Sequence, residues 1–228
     1  MARLHLIDGE KGGVGKSLFA STLIQYFLDK KLPLVAVEAD RSNPDIANKY
    51  SSIGVHFAVF SEDEKKTEAN HLFDFAIEKP VIVSLPSQVA NPLNDWIDAA
   101  LLDAKEYKVE LVRWFVSSGT YESLNLFHNA LEKHGGKFPH ILVKNLGVGD
   151  DWSELEEMTD LAALMKKSKV KGIEFPKLSA HERNKLQKQN LTFGDARETK
   201  EWQVMSKSRI KIFLTKAYEA IESTKLVP

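Results

Sequence analysis

The sequence predicts an α/β fold: a doubly wound, mostly parallel β-sheet with helices on both faces. The first forty residues give a strand, a glycine-rich loop, a helix and a second strand. Further along the chain, short apolar runs alternate with stretches whose apolar residues recur every three or four positions. No internal repeat, low-complexity tract or linker interrupts this alternation, so we expect one domain over residues 1–228.

The first unit of the fold is the clearest in the sequence. The apolar run 4–7 predicts a buried strand, and residues 18–30 predict a helix with apolar residues at helical spacing. Pro33 ends that helix, and the apolar run 34–37 predicts a parallel strand beside the first.

The remaining elements follow the same alternation of strand and helix patterns. Strands are predicted over 55–60, 81–86, 109–116, 141–145 and 172–176. Helices are predicted over 67–78, 92–105, 121–134, 155–169, 181–190 and within 201–223, with a helical turn within 44–50 and a charged loop over 61–66. In the 67–78 helix we expect Leu72, Phe73, Ala76 and Ile77 to face inward.

The loop between the first strand and the first helix reads Lys-Gly-Gly-Val-Gly-Lys-Ser over residues 11–17. Its glycines, Gly12, Gly13 and Gly15, let backbone N–H groups approach phosphate oxygens closely. Lys16 brings a positive charge to the β- and γ-phosphates, and the Ser17 hydroxyl suits Mg²⁺. The positive end of the helix dipole lies beneath them. The loop therefore predicts a site for ATP or ADP with Mg²⁺. The alternative is a glycine-rich turn with solvated lysines.

The loop departs from the usual phosphate-binding pattern, because Glu10 stands where the first glycine would be and Lys11 follows it. In this it resembles the deviant Walker A loop, or P-loop, of the ParA/MinD ATPases, which residues 11–17 match in full. The resemblance implies that Lys11 is a catalytic "signature" lysine that reaches the nucleotide of a partner subunit in an ATP-bound homodimer. It also implies nucleotide contacts by Gly12, Gly13, Val14, Gly15, Lys16, Ser17 and Leu18, with Ser17 as the metal ligand.

The second strand is followed by Glu38-Ala39-Asp40. ParA/MinD proteins carry Asp-x-Asp here, and the second Asp helps to position the attacking water. Asp40 matches that second Asp, whereas Glu38 replaces the first. The resemblance therefore implies that Asp40 is catalytic together with Lys11 and Lys16. The alternative is that Asp40 only caps the turn that follows it.

The strand over 81–86 ends Ser84-Leu85-Pro86, whereas the family's strand ends Asp-x-Pro. The family's Asp orders Mg²⁺ through water. A serine is a neutral and weaker partner for a hydrated cation. We therefore predict slow hydrolysis or weaker Mg²⁺ dependence, and expect ATPase activity to be weak.

Two further positions match the family by their order along the chain. Asn145 ends a predicted strand, where the family's Asn hydrogen-bonds the adenine amino group, and an amide can both donate and accept. Pro176 resembles the family's proline in the loop beside the base. For Asn145, the alternative is that its side chain turns the loop 146–149.

Composition narrows the possible functions. The 228 residues are 43% hydrophobic and 28% charged, with a net charge of −1, so no overall basic field draws the chain to nucleic acid. There are no cysteines, which excludes the cysteine-held clusters and metalloid sites of other proteins with this loop. Without a transmembrane run or a signal peptide, the sequence favours the cytoplasm.

The C-terminal helix has two interpretations. MinD proteins end in a basic amphipathic membrane helix, and this stretch also carries lysines and an arginine. Its apolar stripe equally fits a helix docked on the sheet: Ile210, Phe213, Leu214, Ala217, Tyr218 and Ile221. We prefer docking and do not expect membrane binding.

The resemblance implies an ATPase switch that dimerises on ATP and positions DNA or protein cargo, with a protein activator or cargo as partner. The short length of this chain and two of its runs, Leu-Pro-Ser-Gln and Val-Lys-Asn-Leu-Gly, look closest to the small TraL-like members of the family, which are encoded with plasmid transfer and mobilisation genes. DNA binding is left open.

Two other functions stay open. Ser84 favours a nucleotide-dependent binding module without significant hydrolysis. A ligase such as dethiobiotin synthetase shares the fold, but Lys11 argues against it. A cobyrinate amidase would require a cysteine.

Overall fold

A single β-sheet positions the site. The computed structural model describes residues 2–60 and 66–228. Seven strands lie in this part of the chain: β1 (Ala2–Asp8), β2 (Val35–Glu38), β3 (His56–Phe57), β4 (Val81–Ser84), β5 (Val109–Ser117), β6 (His140–Asn145) and β7 (Lys171–Phe175). They form one sheet in the order β3-β2-β4-β1-β5-β6-β7, and every pairing is parallel. The predicted fold class is confirmed.

Helices cover both faces of the sheet. Ten α-helices lie within the described residues: α1 (Lys16–Asp29), α2 (Asp45–Lys49), α3 (Lys66–Glu78), α4 (Ala90–Asp103), α5 (Tyr121–His134), α6 (Ser153–Glu157), α7 (Thr159–Lys167), α8 (Ala180–Gln189), α9 (Phe193–Glu198) and α10 (Val204–Ser223). Buried residues of α1 and α10 share one core with β5 and β7, whereas α3 and α4 pack on the opposite face. Burial on both faces explains why the strands are continuous apolar runs rather than alternating ones.

The topology places a crevice at the carboxyl end of β1. β1 lies at the centre of the sheet, between β4 and β5. The chain builds one half of the sheet through β2, β3 and β4, and then crosses β1 to build the other half. Open α/β sheets bind ligands where the strand order reverses in this way.

The C-terminal helix is docked on the sheet, as we predict. Most of its apolar stripe is buried: Ile210, Phe213, Leu214, Ala217 and Ile221. Among the described residues, none of the helices combines the length and apolarity needed to cross a bilayer.

Two predicted elements are shorter or divided. The strand expected over 55–60 is reduced to β3, an edge strand whose two side chains are exposed. The helix expected over 155–169 is divided into α6 and α7, because Met158 leaves the helical region with a ψ of 73°. Of the predicted charged loop, residues 61–65 lie outside the described residues.

One further prediction needs correction, and one helix was missed. Ile77 does not face inward but is 44% exposed, although Leu72 and Ala76 in the same helix are buried. α9 was not predicted, although a capping box begins it: Thr192 accepts from the Asp195 N–H, and the Asp195 carboxylate accepts from the Thr192 N–H. That spacing is a sequence signal for a helix start.

Candidate nucleotide-binding site

The glycine-rich loop joins the end of β1 to the start of α1. Gly13 and Gly15 have φ angles of 81° and 98°, a region that L-residues rarely adopt. Gly15 is the N-cap of α1. The free N–H groups of the first helical turn therefore face the loop, and such a helix start favours an anion.

A cavity of about 340 Å³ opens at this loop. The loop after β2 and the ends of β4 and β6 reach it together with the start of α1. The predicted site residues that line it are Gly13, Gly15, Lys16, Ser17, Leu18, Asp40 and Asn145. Ser84, at the end of β4, lines it as well. The structure thus brings together residues that are up to about 130 positions apart in the sequence.

Lys16 is buried, and its amine is held by the protein itself. Its Nζ donates to the Gly9 carbonyl at 2.7 Å, the Ser87 hydroxyl at 2.9 Å and the Lys11 carbonyl at 3.4 Å. Burial lowers the pKa of Lys16, and the charges of nearby carboxylates oppose that shift. An incoming phosphate would exchange some of these acceptors for its own oxygens.

Asp40 makes the cap contact that we give as its alternative role. Its Oδ1 accepts from the Ser42 N–H at 3.1 Å, the Asn43 N–H at 3.0 Å and the Ser42 hydroxyl at 2.6 Å. The same residue lines the cavity with Lys16 and Ser17. The turn cap therefore fixes a carboxylate at the edge of the cavity.

Glu38, which replaces the first Asp of the family pattern, is 1% exposed. Its carboxylate accepts from the Asp40 N–H at 3.0 Å and from the Ile46 N–H at 2.9 Å. Burial raises the pKa of Glu38 to about 7. Glu38 thus ties the end of β2 to the start of α2 and shapes the segment that carries Asp40.

Asn145 contacts the glycine-rich loop directly. Its Nδ2 donates to the Val14 carbonyl at 2.7 Å, and its Oδ1 accepts from the Gly147 N–H at 3.0 Å. The second contact is the turn contact that we name as the alternative. Nδ2 carries a second N–H, and Asn145 lines the cavity. Contact between this amide and adenine stays a prediction.

A neighbouring cavity, not the one that Lys16 lines, is lined by Lys11, Gly12 and Val14. Lys11 forms an ion pair with Glu122 in the first turn of α5. Its side chain is 37% exposed and does not line the cavity that holds Lys16. The amine of Lys11 therefore lies at the surface.

Pro176 lies in a third groove, between the end of β7 and α10. Leu178, two residues later, lines both this groove and the cavity at the loop. The loop after β7 therefore reaches the candidate site through Leu178, and a base contact by Pro176 stays a prediction.

Sequence reasoning missed two contributors to the site. Ser87 accepts a hydrogen bond from Lys16, and Glu38 anchors the Asp40 segment. The sequence indicates a role for Ser87 only through its position after a strand that ends at the cavity. The sequence shows Glu38 only as a departure from the family pattern. Its burial depends on the packing of α2, which the sequence does not display.

No protein-family model matches the chain. Protein MobD of Acidithiobacillus ferrooxidans is 23% identical over 178 residues, which cover 77% of this chain and 78% of MobD. A solved structure described as a plasmid partition protein of Borrelia burgdorferi, bound to AMPPNP, aligns with a TM-score of 0.56 and 16% identity. It covers 98% of this chain and 100% of that chain. The cell division ATPase MinD of Pyrococcus furiosus aligns with a TM-score of 0.54 and 15% identity, over 98% and 100% of the two chains.

These similarities to solved structures define the fold. The chain has the α/β architecture of the Borrelia burgdorferi protein and of the Pyrococcus furiosus ATPase along nearly its whole length. The glycine-rich loop and its cavity lie at the crevice that this topology provides.

Proposed function

We propose that this chain is an ATP-binding switch of the ParA/MinD type. It binds ATP or ADP at the loop 11–17, dimerises in the ATP-bound state, hydrolyses ATP slowly and positions DNA or protein cargo. One observation carries the proposal: a loop with left-handed glycines, a helix start, Lys16 and Ser17 all open into one cavity. The shared fold with a partition protein bound to AMPPNP supports the choice of ligand.

The donor groups fit a nucleotide with Mg²⁺. In the described part of the chain, no group of three or more His, Cys, Asp or Glu side chains is placed to hold a metal. Mg²⁺ commonly keeps several waters and takes one or two protein oxygens with phosphate oxygens. The Ser17 hydroxyl would supply a ligand, and the cation would neutralise phosphate charge. Asp40 would hold the attacking water at the cavity edge.

The position of Lys11 supports the dimer. The amine of Lys11 lies at the surface, outside the cavity that holds Lys16, and can reach a second subunit once its ion pair with Glu122 opens. There it would neutralise the charge that develops on the transferred phosphoryl group. The proposal also includes a protein activator or cargo and a role in plasmid transfer and mobilisation. These parts rest on the resemblance of the sequence alone.

A second function, a nucleotide-dependent binding module without significant hydrolysis, is favoured by Ser84. This residue is 3% exposed at the end of β4 and lines the cavity. It brings a hydroxyl to a position where the resemblance expects a carboxylate. Turnover measured beside ATP binding separates the two functions.

The test is nucleotide affinity, measured with fluorescent mant-ATP and Mg²⁺. We expect binding by the wild type and a loss of roughly 10- to 100-fold in Lys16→Met, because the charged hydrogen-bond donor to the phosphates is removed. Lys211→Met, an exposed position on α10, is the matched control and should bind as the wild type does. Equal affinity of Lys16→Met and the wild type would refute the site.

A further inference from the structure

A buried ion pair lies directly beneath the glycine-rich loop. Asp8 is the last residue of β1, and Arg113 lies in the middle of β5, which pairs with β1. Arg113 Nε is 3.2 Å from Asp8 Oδ2, and the two side chains are 1% and 3% exposed. Burial of two charges carries a large desolvation penalty, so such a pair is weak evidence for stability alone.

Hydrogen bonds connect this pair to Lys16. The Asp8 carboxylate accepts from the Gly9 N–H at 2.6 Å. The carbonyl of the same glycine accepts from Lys16 Nζ at 2.7 Å. Three consecutive contacts therefore lead from the arginine in β5 to the lysine in the cavity.

Gly9 itself is clamped against β5. A Cβ at this position would lie 2.7 Å from the Val116 carbonyl oxygen and 2.9 Å from Val14 Cγ2, so no side chain fits. β5 thus holds the start of the loop in two ways: by backbone packing at Val116 and by the charge of Arg113. The loop has little freedom at this end.

Negative charge lies at the start of the loop, where it would oppose an anionic ligand. Asp8 and Glu10 are both carboxylates at the start of a loop that would receive phosphates. Glu10 is anchored by accepting from the Val89 N–H at 3.1 Å. Arg113 is held from the other side by Asn94 on α4, to which its Nη2 donates at 3.3 Å. The guanidinium therefore places a buried positive charge beside Asp8.

We propose that Arg113 is a positioning residue for nucleotide binding: it neutralises Asp8 and, through Asp8 and Gly9, fixes the amine of Lys16. This rests on the proposed function, because the ligand is a nucleotide. Without Arg113, the Asp8 carboxylate would lie unpaired beneath the loop and repel phosphate groups.

The test compares Arg113→Met with the double variant Asp8→Asn/Arg113→Met, using mant-ATP and mant-ADP. We expect Arg113→Met to bind mant-ATP roughly tenfold or more weakly, with a smaller loss for mant-ADP, because ATP carries more negative charge. The double variant removes both charges and keeps an acceptor for the Gly9 N–H. It should recover most of the ATP affinity, and such recovery is not expected if the arginine only stabilises the fold.

Arg197→Met is the matched control. Arg197 binds Asp29 with both terminal nitrogens at the opposite end of α1, away from the loop. This variant should lose stability yet keep its ATP affinity. If Arg113→Met does not fold, Arg113→Gln, which keeps a polar side chain without the charge, decides, and we expect it to bind mant-ATP roughly tenfold or more weakly than the wild type. ATP binding by Arg113→Met or Arg113→Gln equal to that of the wild type would overturn the proposal, and so would a double variant that binds ATP no better than Arg113→Met.

Hydrogen exchange in the nucleotide-free protein separates this inference from the proposed function. We expect faster exchange at amides 9–16 in Arg113→Met, with no such change in Arg197→Met. Unchanged exchange at these amides would contradict the positioning role. Failure of the wild type to bind mant-ATP would refute the nucleotide function and, with it, the role of Arg113 in binding.

Discussion

Alanine at Gly15 should destabilise the loop far more than alanine at Gly13, because only at Gly15 does the new methyl group meet a neighbouring side chain. Both glycines have positive φ angles, 98° and 81°. An alanine in this region costs about 1–2 kcal/mol. A Cβ at Gly13 meets nothing within 4 Å, whereas a Cβ at Gly15 would overlap the amide nitrogen of Asn145.

The overlap displaces a buried hydrogen bond. Asn145 Nδ2 donates to the Val14 carbonyl at 2.7 Å, and its loss leaves buried polar groups unpaired at a cost of about 1–3 kcal/mol. We therefore expect Gly13→Ala to lose about 1–2 kcal/mol of unfolding free energy, and Gly15→Ala about 2–5 kcal/mol.

Equilibrium unfolding in urea measures both variants without nucleotide, so the result does not depend on the proposed function. A third protein, Gly15→Ala/Asn145→Ala, removes the group that the new methyl displaces. Its loss should be smaller than the sum of the two single losses. Equal destabilisation by Gly13→Ala and Gly15→Ala, within about 0.5 kcal/mol, would contradict the overlap with Asn145.

Two further predictions concern carboxylates at the site. Ser84→Asp should raise turnover or Mg²⁺ affinity about tenfold, because it restores a charged partner for a hydrated cation, and Ser84→Ala is its control. A Ser84→Asp rate and Mg²⁺ affinity equal to the wild type would contradict this. Burial raises the pKa of Glu38 from 4.5 to about 7. Between these two pH values the folded chain keeps Glu38 protonated, whereas the unfolded chain has released that proton. Relative to Glu38→Gln, the wild type should lose up to about 3 kcal/mol of unfolding free energy between pH 4.5 and 7. Urea unfolding at each pH measures this difference, and parallel curves for the two proteins would refute it.

Much of the fold could be predicted because its signals are local. The apolar runs over 81–86 and 141–145 are continuous since their strands are buried on both faces. The helix α5 was predicted with its observed bounds, since Thr120 caps it and Gly135 follows it. The length of β3 was overestimated, because the residue types over 55–60 that predict a strand also occur at an exposed edge of a sheet.

The candidate site was predictable only in part. The loop 11–17 is contiguous, so its residue types indicate a phosphate site directly. The partner of a side chain is set by tertiary packing, which the sequence does not display. Arg113 illustrates this: a charge within an apolar strand signals a buried partner, but only the pairing of β5 with β1 identifies Asp8. Lys11 likewise gave no sign of its contact with Glu122.

The most direct test of the proposed switch is the mass of the protein in solution with no nucleotide, with ADP, and with ATP and Mg²⁺. Sedimentation of the wild type and of Lys11→Ala gives it, with ATP hydrolysis followed in the same samples. We predict a dimer of the wild type only with ATP, and no hydrolysis by Lys11→Ala. A wild type that stays monomeric under all three conditions, or a Lys11→Ala variant with unchanged hydrolysis, would contradict the switch and bring the ligase-type function forward.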